Sequence, residues 1–171
     1  MKAHRPLIVA NWKANLPAGE EVALAGRIAT ALPADQHAEI VIAPSALGLV
    51  SVTSLLRREH ATLDISTAAQ DCSAEEVGAH TGEEPAAHLV GIAESVIVGH
   101  SERRRERGES DALVGRKLAR VALAGLRPIL CVGDDLRGAD TRERAPYLVA
   151  QWRGASAEAA ELGVDVSTLL A

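Results

Sequence analysis

Aromatic side chains are almost missing from this chain. It has no Phe, one Tyr and two Trp among 171 residues. A core must therefore come from Ala, Val, Leu and Ile, which layered α/β architectures accommodate, and hydrophobic residues still make up 47%. Cysteine is scarce too. Cys72 and Cys131 have no metal-ligand spacing and do not make a disulfide framework, so reduced thiols and a cytoplasmic location are expected. Long apolar runs are absent: nothing reaches the roughly 18 residues of a membrane span, and Pro6 to Ala10 is too short for a signal-peptide core. Basic excess is lacking as well. The net charge is −5, and the densest positive cluster, Arg103, Arg104, Arg105 and Arg107, is interleaved with Glu102, Glu106 and Glu109. That pattern reads as a local ion-pair network rather than a nucleic-acid surface.

What is present is an alternation. Strand-like apolar runs lie at 7–10, 39–43, 63–68, 95–98 and 128–132, with helical patterns at 17–32, 46–58, 110–124 and 142–162. Short continuous apolar strands between helices imply a parallel sheet with covered faces, hence an α/β fold. No internal repeat, linker or low-complexity block interrupts it, so residues 1–171 are expected to form a single domain. Thr168-Leu169-Leu170 reads as the start of a sixth strand.

The densest chemistry follows the fourth run, in Val98-Gly99-His100-Ser101-Glu102-Arg103-Arg104. A short helix beginning at Ser101, with Ser101 as its cap and Glu102 in its first turn, would aim its positive end at the imidazole. Such a field holds a histidine neutral near pH 7, as a hydrogen-bond donor to a carbonyl. The plainer reading is a solvated charged turn.

Reactive groups of parallel barrels sit at the C-terminal ends of the strands. Those positions carry Asn11-Trp12-Lys13, Pro44-Ser45, Gln70-Asp71-Cys72, His100 with Glu102, and Gly133-Asp134-Asp135. An amide, an ammonium and an imidazole from separate strands suit a small anionic molecule. Each also has a bland reading: Lys13 a surface lysine, Asn11 a turn residue, Gln70 a partner for loop backbone, and Cys131 a packed small side chain.

Three signatures then add a family resemblance. Asn11-Trp12-Lys13-Ala14-Asn15 resembles N-W-K-x-N of the triosephosphate isomerase family. Gly78-Ala79-His80-Thr81-Gly82-Glu83 is similar to its G-A-x-T-G-E loop, and Gly99-His100-Ser101-Glu102-Arg103-Arg104 matches G-H-S-E-R-R in full. Glu109, Lys117 and Ile129 to Gly133 also fall where the family has similar residues. Departures are Asp71 for the commoner Asn, His80 for an aromatic, and Asp134 for Glu.

The resemblance implies a partial TIM (β/α)8 barrel, about the first five βα units, and interconversion of dihydroxyacetone phosphate and glyceraldehyde 3-phosphate in glycolysis and gluconeogenesis. It assigns Lys13 and Asn11 to holding and polarising a small phosphorylated triose, and His100 to proton transfer at the oxygens. Glu102 is implied to support the Lys13 region. Thr81 and Glu83 are implied to brace a neighbour's site in a homodimer joined through the 72–85 loop. The complete barrel needs about 250 residues. The family's base lies in a Y-E-P-x-W segment, with the lid and phosphate loops beyond it, and no such segment occurs here. Glu143, Glu158 and Glu161 belong to a helical stretch and do not substitute. Residues 1–171 alone are thus expected to be inactive and marginally stable, with Val9, Val41, Ile97 and Leu130 in layers that need further strands. Two other readings remain: a non-catalytic barrel remnant used in binding or assembly, and an isomerase of another small sugar phosphate.

Overall fold

A computed structural model describes residues 5–33, 35–133 and 141–169. Two compact units divide the chain, Met1–Gln70 with Gly91–Ser95, and Asp71–Val90 with Val96–Ala171.

In the first unit, β1 (Leu7–Asn11), β2 (Glu39–Ala43) and β3 (Ile65–Ala69) pair in parallel in chain order, with Leu7 opposite Glu39, Asn11 opposite Ala43, and Ile42 opposite Thr67. Two helices, α1 (Ala18–Ala31) and α2 (Ala46–Glu59), follow the first two strands. Their small and branched residues Ala25, Ala29, Val52 and Leu56 form a buried cluster against which Trp12, Val22, Leu55, Leu63 and Ile65 pack. Alanine lets the two helices approach closely, which is how a core with so few aromatics fills its space.

Polar groups also enter this interior. Glu21 of α1 is fully buried, and its carboxylate accepts hydrogen bonds from the Ser45 N–H at 2.7 Å and the Ser45 hydroxyl at 2.8 Å. Ser45 occupies the N-cap position of α2 without a side-chain cap bond of its own, so the carboxylate lies at a helix N-terminus, where negative charge is favoured. Gly48 leaves the room: a Cβ there would overlap the Glu21 Oε2 atom.

The second unit carries β4 (Ser95–Val98) and β5 (Arg127–Leu130), neighbours in the sheet, with Cys131 N–H donating to Val98 O at 2.9 Å. Between them lie α3 (Ser101–Arg107) and α4 (Asp111–Leu123), and α5 (Thr141–Glu161) follows. Ser110 caps α4 by accepting from Leu113 N–H at 3.2 Å. A side-chain amide fixes the end of β5: Gln151 accepts from Gly133 N–H at 2.8 Å and donates to Gly133 O at 3.1 Å.

The α/β class is the expected one, and every expected strand and helix through Glu161 is present within two residues. No sixth strand lies among the described residues. Thr168 and Leu169 lie in a 3-10 turn, Val166–Leu169, which starts where the Asp165 carboxylate accepts from Ser167 N–H at 2.9 Å. That local bond favours a turn over an extended chain. Residues 170 and 171 lie outside the described residues, as do Asp134 and Asp135. The layer expectation also needs correction. Val41 and Ile97 are already buried here, because central strands are covered on both faces, whereas Val9 and Leu130 are only partly buried.

Candidate active site

At the end of β1 the chain turns sharply. Lys13 has φ +55°, and among the described residues it is the non-glycine with positive φ. An L-residue in this region costs on the order of 1 kcal/mol and persists only where neighbours hold it. The neighbours here are specific. The Asn11 side-chain oxygen accepts from Lys13 N–H at 2.9 Å, and Gln70 Nε2 donates to Lys13 O at 2.8 Å and Ala43 O at 3.0 Å. Trp12 N–H donates to Ala43 O at 3.0 Å, and Asn15 Nδ2 donates to Trp12 O at 2.9 Å. The bland readings of Asn11 and Gln70 are therefore true as far as they go: both satisfy backbone. In doing so they fix an exposed ammonium-bearing residue in a strained conformation, and strain of this kind clusters at functional sites.

The second cluster follows β4. Gly99 has φ +72°, and a Cβ there would lie 2.7 Å from Val114 Cγ1 and 3.0 Å from an Arg104 nitrogen, so a side chain would meet both strain and atoms. His100, not Ser101, is the N-cap of α3. Its Nδ1 lies 3.3 Å from the Glu102 backbone N and 3.5 Å from Glu102 Oε2. A backbone N–H can only donate, so the shorter contact makes Nδ1 the acceptor, and the imidazole proton then sits on Nε2. The expected helix and its positive end are present. Hydroxyls are common at such caps, which is why Ser101 is the expected one, but the imidazole itself takes that place.

Three of the four arginines of α3, Arg103, Arg104 and Arg105, form ion pairs, and Arg104 reaches beyond the expected glutamates. Arg103 pairs with Glu109 and Asp71, each at 2.8 Å, and Arg105 with Glu106 at 2.9 Å. Arg104 pairs with Asp111 at 2.5 Å and donates to Gly99 O at 2.8 Å, bracing the turn that precedes His100. Beneath lies a buried ammonium, Lys117, bound by both oxygens of Asp71 at 2.8 and 2.7 Å and by Glu109 Oε1 at 2.7 Å. Two cations thus meet two carboxylates. Burial pushes the Asp71 carboxyl above its ordinary range, against the pull of the Lys117 hydrogen bond. Burial, with the Asp71 charge second, pushes the neighbouring Cys72 thiol up to about 12, which leaves it protonated and inert. Cys131 is also raised by burial, and neither cysteine is in a disulfide.

Thr81 and Glu83 stand on the 71–85 loop, where residues 75–84 are all exposed. The loop is closed at its root by Ser73 N–H donating to Glu84 O at 2.8 Å and shaped at its tip by Glu83 N–H donating to His80 O at 3.0 Å. Of the glutamates in α5, Glu158 faces Arg116 at 3.4 Å and Glu161 is exposed; the Glu143 side chain lies outside the described residues. Among the described residues no group of His, Cys, Asp and Glu is arranged to hold a metal ion, and no helix is long and apolar enough to cross a membrane.

The structure thus joins Asn11 to Lys13 in the first unit and His100 to Glu102 in the second, with Thr81 and Glu83 on the loop. Gln151, Glu21 and the Asp71–Lys117 pair were not legible as structural determinants, since each acts on a partner far along the chain. Gln70 offered a hint, an amide at a strand tip.

The sequence model of the triosephosphate isomerase family matches residues 6–167. The triosephosphate isomerase of Treponema pallidum (strain Nichols) is 45% identical over 131 residues, 76% of this chain and 51% of the relative. That of Syntrophotalea carbinolica is 41% identical over 150 residues, 87% of this chain and 58% of the relative. The Corynebacterium glutamicum protein of the same name is 38% identical over 169 residues, 96% and 64% respectively. With these matches the alternation of strands and helices is that of a partial TIM (β/α)8 barrel. The chain spans about half to two-thirds of the length of these relatives.

Proposed function

From the premise that the chain belongs to the triosephosphate isomerase family, we propose that the full-length protein interconverts dihydroxyacetone phosphate and glyceraldehyde 3-phosphate. The observation that carries this reading is the His100 imidazole, whose Nδ1 accepts from Glu102 N–H and whose Nε2 is left to donate. The family is itself a standard instance of an imidazole set beside a helix N-terminus for this purpose.

In the proposed reaction a carboxylate removes a proton from the carbon next to the carbonyl. The C–H electron pair forms the carbon–carbon double bond, and the carbonyl π electrons move to oxygen. His100 Nε2–H donates to that oxygen and takes up the hydroxyl proton of its neighbour, so that the proton returned to carbon lands one position along. The carboxylate belongs to the family's Y-E-P-x-W segment, which these 171 residues do not contain. Lys13 supplies positive charge for the phosphate and the enediolate, Asn11 sets its conformation and contributes to binding, and Glu102 supports this arrangement. Residues 1–171 belong on this reading to one incomplete barrel domain. Neither a metal nor an organic cofactor takes part.

Homodimerisation through the 72–85 loop is part of the same proposal, with Thr81 and Glu83 bracing the partner's site. Exposed Val77 and Leu123 support it: with Pro85, Ala86 and the charged Glu75, Glu76 and Arg120 they line a hollow of about 340 Å³ at the root of the loop, a place for a second copy. A cytoplasmic setting, without nucleic acid or membrane, completes the proposal. The test is a coupled assay of the full-length protein with dihydroxyacetone phosphate, comparing parent and His100→Gln. Parent turnover with a loss of at least about 100-fold in the variant is expected; equal rates would remove His100 from the mechanism.

A further inference from the structure

The seven-residue α3 has a peculiarity of support: none of its residues is buried. A helix this short does not hold itself together in water, and most helices in proteins rely on an apolar face packed against a core. This one has no such face. Its sequence, Ser-Glu-Arg-Arg-Arg-Glu-Arg, offers only polar handles. Two of them reach inward. Arg104 holds Gly99 O and Asp111, and Arg103 Nε lies 2.8 Å from both Glu109 Oε1 and Asp71 Oδ2. Asp71 and Glu109 are in turn fixed by the buried Lys117.

Arg103 directly follows Glu102, whose backbone N–H is the hydrogen-bond donor to His100 Nδ1. We propose that Asp71 and Arg103 are positioning residues: their ion pair anchors the first turn of α3 and so keeps the Glu102 N–H aimed at His100 Nδ1. The anchor replaces hydrophobic packing with a charged pair whose far end, Asp71, sits at the root of the 71–85 loop. Movement of that root is thereby transmitted to the imidazole through one guanidinium.

This inference rests on the role given to His100 above, but its test has a readout that does not depend on turnover. In the full-length protein, Asp71→Ala, Asp71→Asn and Arg103→Ala are compared by kcat, KM and the ¹⁵N spectrum of His100. Parent and Asp71→Asn, which keeps an oxygen facing Arg103 and Lys117, are expected to show a single tautomer protonated at Nε2. Asp71→Ala and Arg103→Ala are expected to show a mixture of tautomers and a kcat roughly tenfold to a hundredfold lower, with KM within about twofold. Arg103 is partly exposed, so its truncation leaves the Lys117 pairs in place and keeps the test open should Asp71→Ala fail to fold. Folded Arg103→Ala with the parent spectrum and parent kcat would overturn the anchor. A parent protein without isomerase turnover, but with the tautomer shifting as described, would instead leave the anchor standing and remove the function assigned to it.

Discussion

The turn after β1 and the turn after β4 each present one functional side chain, and they are held by opposite means. Around the backbone of Lys13 the hydrogen bonds described above are neutral: an Asn oxygen, a Gln amide and backbone carbonyls, closing on a residue with positive φ. Around His100 the supports are ionic: Arg103, Arg104, Lys117, Asp71, Glu109 and Asp111 fix a helix with no buried residue. Neutral hydrogen bonds contribute about 1 kcal/mol each and respond little to pH. A buried set of charges is worth less than its Coulomb energy, because desolvation offsets much of it, but removing one member leaves a bare charge in a poor solvent. The first turn should therefore fail gently and the second abruptly.

The largest expected effect sharpens that contrast. Lys117→Met in the full-length protein should cost about 3–5 kcal/mol in urea unfolding, since Asp71 and Glu109 would face each other with only Arg103 between them. A loss below about 1 kcal/mol would show that water or another cation already shares the load, and the contrast would break. Gln70→Ala comes next. It removes two donors from the carbonyls of Lys13 and Ala43, and a loss of about 1–2 kcal/mol is expected, alike at pH 5 and pH 8. A pronounced pH dependence of this variant would mean that the Lys13 turn is electrostatically held after all.

The smallest effect concerns Asp71→Asn. Burial raises the folded carboxyl above its ordinary 3.8, so the fold binds this proton more readily than the unfolded chain does. The contribution of this group to stability is thus complete below the unfolded value and is lost as pH rises through the raised one. Asp71→Asn should remove that slope, leaving the variant equal to or slightly more stable than the parent at neutral pH relative to acid. The opposite slope in a parent-minus-variant comparison would show that Lys117 outweighs burial.

Much of this was legible in the sequence, and the parts that were not share a cause. The five strands are apolar runs bounded by turn residues, and such runs announce themselves. Two signatures marked Asn11, Lys13 and His100, and a third marked Thr81 and Glu83. The supports did not announce themselves, because a Gln or a Lys carries no local pattern that names its partner: Gln70 acts on Lys13, Lys117 on Asp71, Gln151 on Gly133 and Glu21 on Ser45. The cap at His100 differs by one residue from the expected one, since hydroxyls usually fill that role. Thr168 and Leu169 read as extended from their residue types alone, while Asp165 just before them sets a turn. It is instructive that Gln70 and Asp71 are adjacent in the chain, the neutral support of one turn next to the ionic support of the other.

The most direct measurement is the ¹⁵N spectrum of the His100 ring in the full-length protein at neutral pH. A proton on Nε2 and none on Nδ1 is the result this account predicts; a protonated Nδ1, alone or together with Nε2, would contradict it.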